Sequence, residues 1–217
     1  MNELFNETYY QEFCLKHGQY DIVRPLRRAL RQSFLPLPPN PTLSDFAIGF
    51  AGNYLKWRKL FVTVYGYDIN QAVIEDANRA GLGEFFFLQD VTIPFEPEHT
   101  TDICTCYYLF EHVTDQQCLN IIANMVKIAP VNIIGLTPVT DKEHYDADPT
   151  HSNPKTIKRW SQLIKGAYDL IGWKRIHSVR NYWCYGSSQF YFNLRELNKQ
   201  LSYLGSRVWD DAREQYS

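Results

Sequence analysis

From Leu43 onward the apolar residues fall in runs of four to seven, and each run is followed by an amphipathic stretch. Parallel strands need a helix-length crossover between them, so this alternation points to a parallel sheet covered by helices on both faces. The spacing predicts strands over 43–48, 62–67, 84–88, 101–107 and 131–136, and helices over 53–60, 70–80, 115–129 and 154–168. Asn70, Gly81 and either Thr114 or Asp115 stand where helix caps are expected. Two more strands are expected near 173–179 and 188–194, with no helix-length spacer between them, so they should pair as an antiparallel hairpin at the sheet edge. The expected fold is α/β and doubly wound, with ligands at the carboxyl ends of the strands.

Ahead of the sheet, Ile22, Val23, Leu26 and Leu30 share one helical stripe beside Arg24, Arg27, Arg28 and Arg31, which predicts one or two helices over residues 1–34. They end at Leu35-Pro-Leu-Pro-Pro-Asn-Pro, where neither helix nor sheet ladder continues. The 217 residues read as a single domain, a helical cover over 1–34 and an α/β core over 43–217. Lys and Arg number 22 against 24 Asp and Glu, a net charge of −2, so a basic nucleic-acid or membrane-binding surface is not expected. Five cysteines form no CxxC pair, which fits a reduced, cytoplasmic chain with no metal centre. No basic-then-apolar leader and no apolar run of 18 residues occurs. A monomer or homodimer is expected.

The first strand runs into Ala47-Ile-Gly-Phe-Ala-Gly-Asn53, where Gly49 and Gly52 let the backbone turn and approach a ligand; a plain strand-to-helix turn is the alternative. The second strand ends at Asp68, 19 residues after Gly49, the spacing at which a carboxylate meets ribose hydroxyls. Asp68 could instead serve the start of the next helix. Asp90 and Val91 lie beyond the third strand, where a carboxylate can accept from an adenine amino group, or serve only a solvated turn. Beyond the fourth lie Cys106, Tyr107 and the Glu111-His112 pair. Four strand ends thus converge on one nucleoside-sized crevice.

These segments resemble a class I S-adenosylmethionine-dependent methyltransferase: Gly49 to Gly52 its glycine loop, Asp68 with Ile69 its ribose end, Gln89-Asp90-Val91 its adenine contact, and Asp102 to Val113 its fourth strand. The resemblance covers about residues 5–180 and implies a Rossmann-like sheet and S-adenosyl-L-methionine as cofactor. Two positions depart from the pattern. The acid two residues before the first glycine is Ala47 here, and the third glycine is Asn53. In the N-terminal segment the resemblance implies that Tyr20 and Arg24 cover the methionine end, the alternative being a solvated basic face. It also implies that His151, in the polar loop 139–154, stands over the crevice, with His112 as a second catalytic candidate. Loops of this length serve as lids or substrate walls, and a helix-capping role for Asp148-Pro-Thr-His is the alternative.

Methyl transfer requires donor and acceptor held in line and water excluded, and a base only where the acceptor must lose a proton. The expected acceptor residues are Tyr9, Tyr10, Tyr145, Arg180, Tyr182 and Trp183, an arginine among aromatics suited to an anionic, partly apolar acceptor. In size and layout the chain also resembles the cyanobactin-pathway enzymes that esterify a peptide's C-terminal carboxylate. The expected activity is therefore O-methylation of a carboxylate on a small molecule or short peptide. Other natural-product acceptors and a non-catalytic adenosine-ligand binder are the alternatives. A nicotinamide oxidoreductase would call for GxGxxG, which is absent.

Overall fold

The computed structural model describes residues 38–49, 51–139, 146, 148–179 and 182–187. The segment 1–34, expected to be helical, and with it Tyr9, Tyr10, Tyr20 and Arg24, lies outside the described residues, as do Tyr145 and Arg180. Seven strands form one sheet: β1 Thr42–Phe46, β2 Thr63–Asp68, β3 Phe86–Leu88, β4 Ile103–Tyr107, β5 Val131–Gly135, β6 Lys174–Val179 and β7 Tyr182–Gly186. Their order is β3-β2-β1-β4-β5-β7-β6. The first five are parallel, while β7 runs antiparallel to both β5 and β6. Among the described residues the complete α-helices are α1 Ala51–Trp57, α2 Gln71–Arg79, α3 Asp115–Ile128 and α4 Ile157–Leu170. The doubly wound sheet and its antiparallel edge match the sequence expectation. One strand moves: the partner of β6 is Tyr182–Gly186 and not 188–194, a segment outside the described residues.

Both faces of the central strands β1, β4 and β5 are buried, so successive residues serve different cores. Phe46, Tyr67, Cys104, Cys106 and Ile134 pack with Ile121 and Met125 of α3 and Trp160, Ile164 and Tyr168 of α4. Leu43, Val64, Ile103, Val131 and Ile133 pack on the other side with Trp57 of α1 and Val73 and Ala77 of α2. Local chemistry sets where the helices start. Asn70 accepts from the Ala72 amide, Thr114 and Gln117 form a reciprocal capping box, and Thr156 accepts from the Arg159 amide. Among the described residues no helix is long and apolar enough to cross a membrane.

The chain builds outward from β1 through β2 to β3, then returns to place β4 on the other side of β1. This reversal opens a gap beyond the carboxyl ends of β1 and β4, which is where open α/β sheets receive ligands.

Candidate active site

The crevice at that gap is lined from four strand ends. Ala47 and Gly49 follow β1, Asp68, Ile69, Asn70 and Val73 follow β2, Gln89 to Thr92 follow β3, and Tyr108, Leu109 and His112 follow β4. Of the residues expected from the sequence, Gly49, Asp68, Ile69, Asp90, Val91 and His112 are brought together here.

Asp68 is held rigidly. Its Oδ2 accepts from the Gly49 amide at 3.0 Å and its Oδ1 from the Asn70 amide at 2.9 Å. Burial raises its pKa, against the opposing pull of the Asn70, Gly49 and Ile69 amides. The acid thus serves the turn and the start of α2 as well as facing the crevice. Asp90 accepts through Oδ1 from the amide and hydroxyl of Thr92, at 2.8 and 2.6 Å. The loop after it hangs on Asn124 inside α3, whose Nδ2 donates to the Val91 and Ile93 carbonyls at 2.9 and 2.8 Å. Nothing in the sequence distinguishes Asn124 from an ordinary helix residue.

The glycine loop resolves the departure at Ala47. Ala47 has φ 56° and Gly49 has φ 76°, both in the left-handed region that glycine favours. Ala47 therefore occupies a glycine's conformation, and Asp45, two residues ahead, holds the acid position. Asp45 accepts from Trp57 Nε1 and from Thr105 Oγ1, both at 2.6 Å, and is 3% exposed. It braces β1 against β4 and α1. Gly52 falls inside the first turn of α1, which begins two residues earlier than expected.

Three expected contacts stand elsewhere. Cys106 and Tyr107, expected at the crevice, are buried in opposite cores because they alternate across β4. Tyr107 stacks on Trp57 with ring centroids 5.9 Å apart, and burial pushes the Cys106 thiol well above its usual range. The chain reaches the crevice only at Tyr108, whose φ of 57° turns it out of the sheet, and at Leu109. No pattern in the sequence announces that turn. Trp183, expected at the acceptor, is buried on the α3–α4 side; Tyr182 is half-buried, with its hydroxyl 2.6 Å from that of Tyr108.

At the β4 end of the crevice a 3-10 turn, Phe110–His112, meets the end of the polar loop. The Ser152 and Asn153 amides donate to the Glu111 carbonyl at 3.0 and 2.9 Å, and Asn153 Nδ2 donates to the Val113 carbonyl at 2.6 Å. These bonds make 148–153 a fixed wall, and the cap of α4 is Thr156, not the Asp148 stretch. His151 is brought against His112, with ring centroids 4.6 Å apart. Thr150 Oγ1 donates to Asp148 Oδ1 at 2.6 Å and lies 2.7 Å from His112 Nδ1. Burial, with help from His151, lowers the His112 pKa to about 4, against the opposing effect of Asp148 and the Thr150 and Tyr108 backbone. Asp148 itself is lowered; its burial is outweighed by the Thr150 hydrogen bonds and the two histidines. Glu111 is fully buried. Its Oε1 accepts from the Thr137 amide at 2.7 Å, Oε2 has no hydrogen-bond partner, and burial raises its pKa to about 7.

A doubly wound sheet with a glycine-type turn, a ribose-spaced carboxylate and an adenine-side loop at its switch point defines a nucleoside-cofactor domain. Residues 44–129 match the family described as a methyltransferase domain, and that segment with the crevice it lines supports S-adenosylmethionine-dependent methyl transfer. Its fold is shared with the magnesium protoporphyrin IX methyltransferase of Synechocystis PCC 6803 solved with S-adenosylmethionine, at 16% identity, TM-score 0.57, and 86% of this chain against 94% of that one. A protein of Pyrococcus horikoshii OT3 matches at 16% identity and TM-score 0.58, over 84% of this chain and 99% of that one. A small RNA methyltransferase matches at 13% identity and TM-score 0.59 over 76% of this chain, which spans only 25% of that protein. No curated protein sequence matches the chain.

Proposed function

We propose that the chain methylates an oxygen, and that its acceptor is a carboxylate on a small molecule or short peptide. The observation that carries this is the buried His112 at the crevice wall, braced by Thr150 and Asp148 and neutral because its pKa sits near 4. A base that weak does little to deprotonate a phenol or an amine, whereas an acceptor that arrives ionised, as a carboxylate does, needs no base at all. His151 beside it positions the same group.

Arg180 keeps its proposed role as the partner of the acceptor anion. With Trp183 and Tyr185 in the core, Tyr182 is the member of that aromatic set that reaches a crevice residue, Tyr108. The peptide form, as in the cyanobactin enzymes, therefore rests on chain size and layout. A net charge of −2 favours such acceptors over nucleic acid.

The donor would lie with its ribose on Asp68 and its base against Asp90 and Val91. Transfer then needs only in-line approach of the acceptor oxygen: the O–CH3 bond forms as the S–CH3 bond breaks, and the sulfonium becomes a thioether. The test is incubation with S-adenosylmethionine and panels of acids, phenols, amines and peptides, read by mass spectrometry for the gain of one methylene. An ester product is removed by mild alkali, and its formation rate stays nearly flat from about pH 6.5 to 9. A product that resists alkali would move the acceptor to another class.

A further inference from the structure

We propose that Glu111, His112 and His151 form a binding site for a divalent transition-metal cation at the wall of the methyl-transfer crevice. A carboxylate oxygen and one ring nitrogen from each histidine lie within 4.8 Å of one another. Tetrahedral ligand bonds of about 2.0–2.2 Å put donors about 3.3–3.6 Å apart, so closing on an ion takes up to about 0.8 Å per side chain. His151 is the half-buried member of the three, while Glu111 and His112 are buried.

Two further observations point to a ligand. Glu111 is entirely buried, yet Oε2 meets no donor while Oε1 is used by the Thr137 amide. An orphaned buried carboxyl oxygen costs stability wherever it stands, and a cation beside it removes that cost. The tautomer of His112 is also set. Thr150 has one hydroxyl hydrogen, which goes to Asp148, so the hydroxyl accepts from His112 Nδ1 and the neutral ring keeps its lone pair on Nε2. A carboxylate fixing a hydroxyl that fixes an imidazole is the supporting arrangement metal-binding histidines use.

The donor set selects the ion. Two imidazoles and one carboxylate suit Mn2+, Fe2+, Co2+ or Zn2+, whereas Mg2+ and Ca2+ prefer all-oxygen shells. Three protein ligands leave positions open, and because His112 also lines the crevice, one open position faces the space where an acceptor oxygen must sit. That role rests on the methyl-transfer reading above. The ion would hold the acceptor oxygen and stabilise its charge as the methyl group moves, with no change in its own oxidation state. The ligands come from segments 39 residues apart, which is why the sequence, with no CxxC pair, gave the opposite expectation of no metal.

The experiment is chelation of the purified full chain followed by Co2+ titration, read by visible absorption, with Mn2+ and Zn2+ followed by calorimetry. One equivalent of Co2+ should bind, displaceable by Zn2+ and not by Mg2+. Both His151→Ala and Glu111→Gln should weaken it at least about 10-fold. His151→Ala carries the test if the buried Glu111→Gln variant does not fold, and S-adenosylhomocysteine binding reports whether each variant is intact. A chelated chain that binds S-adenosylhomocysteine but takes up no stoichiometric Co2+ would overturn the site, as would unchanged affinity in intact His151→Ala. Cobalt binding that depends on His151, without S-adenosylhomocysteine binding, would leave the site standing and remove its role in methyl transfer.

Discussion

The Gly49 amide donates to Asp68 Oδ2 across 3.0 Å, tying the turn after β1 to the end of β2 through the carboxylate that faces the crevice. The sequence spacing pointed to a ribose acid, with a helix-start acid as the alternative, and the structure gives Asp68 contacts to the turn and to the helix start together. Asp68→Ala should therefore do two things. It should abolish S-adenosylhomocysteine binding by calorimetry, and it should destabilise the chain by about 2 kcal/mol or more, because two backbone amides lose a charged acceptor. Loss of binding with an unchanged unfolding midpoint would show that the tie contributes nothing.

Asp45 makes stability depend on pH. Burial is the main cause that raises its pKa to about 7, outweighing the hydrogen bonds from Thr105 and Trp57, and nearby Asp68 adds to the rise. Between an unfolded carboxylate's 3.8 and about 7 the folded state holds a proton that the unfolded state has lost. This contribution is therefore fully present at low pH and is lost as pH rises towards 7. Relative to Asp45→Asn, the natural chain should lose on the order of 2 kcal/mol between about pH 5 and pH 7. Denaturant melts at several pH values check it, and parallel curves for the two proteins would refute it.

Ala47 and Gly49 both hold left-handed backbone, at φ 56° and 76°, but only one of them is a glycine. An alanine there is strained by about 1 kcal/mol, partly offset by the stiffer unfolded chain. Ala47→Gly should thus leave the unfolding midpoint equal or higher. A Cβ on Gly49 would find its nearest atoms at 3.9 Å, so Gly49→Ala should cost only the strain, about 1 kcal/mol. Substantial destabilisation by Ala47→Gly would contradict this reading of the turn.

The sheet was legible because parallel strands buried on both faces write short apolar runs, and because Asn70 and Thr114 mark helix starts by direct hydrogen bonding. The side-chain destinations were less so. Read by alternation, Tyr182-Trp-Cys-Tyr-Gly186 sends Trp183 and Tyr185 to one core and Tyr182 and Cys184 to the other. A strand's period of two therefore keeps these aromatics from forming one pocket wall. The same period sends Cys106 and Tyr107 to opposite cores and away from the crevice. Tyr108 was missed for a different reason: its exit depends on a positive φ that no local sequence preference marks. The family resemblance implied His151 over the crevice and His112 as a second candidate, whereas the contact between the two rings and the part played by Thr150 between His112 and Asp148 depend on the loop's tertiary bonds.

Thr150 acts on the site through His112. Its hydroxyl holds His112 Nδ1 at 2.7 Å and Asp148 at 2.6 Å, and it is buried without lining the donor side of the crevice. Thr150→Val keeps the shape but removes the acceptor that fixes the ring's tautomer and aim. Turnover should fall about 10- to 100-fold, as it does when a supporting hydrogen bond to a working histidine is lost. S-adenosylhomocysteine affinity should not change, because Asp68, Asp90 and Gly49 are untouched. Thr150→Ser restores the hydroxyl and should recover most of the rate, which a purely packing role for the methyl group would not allow. Single-turnover rates and calorimetry on the two variants decide it: a Thr150→Val enzyme as fast as the natural chain would show that His112 needs no such anchor.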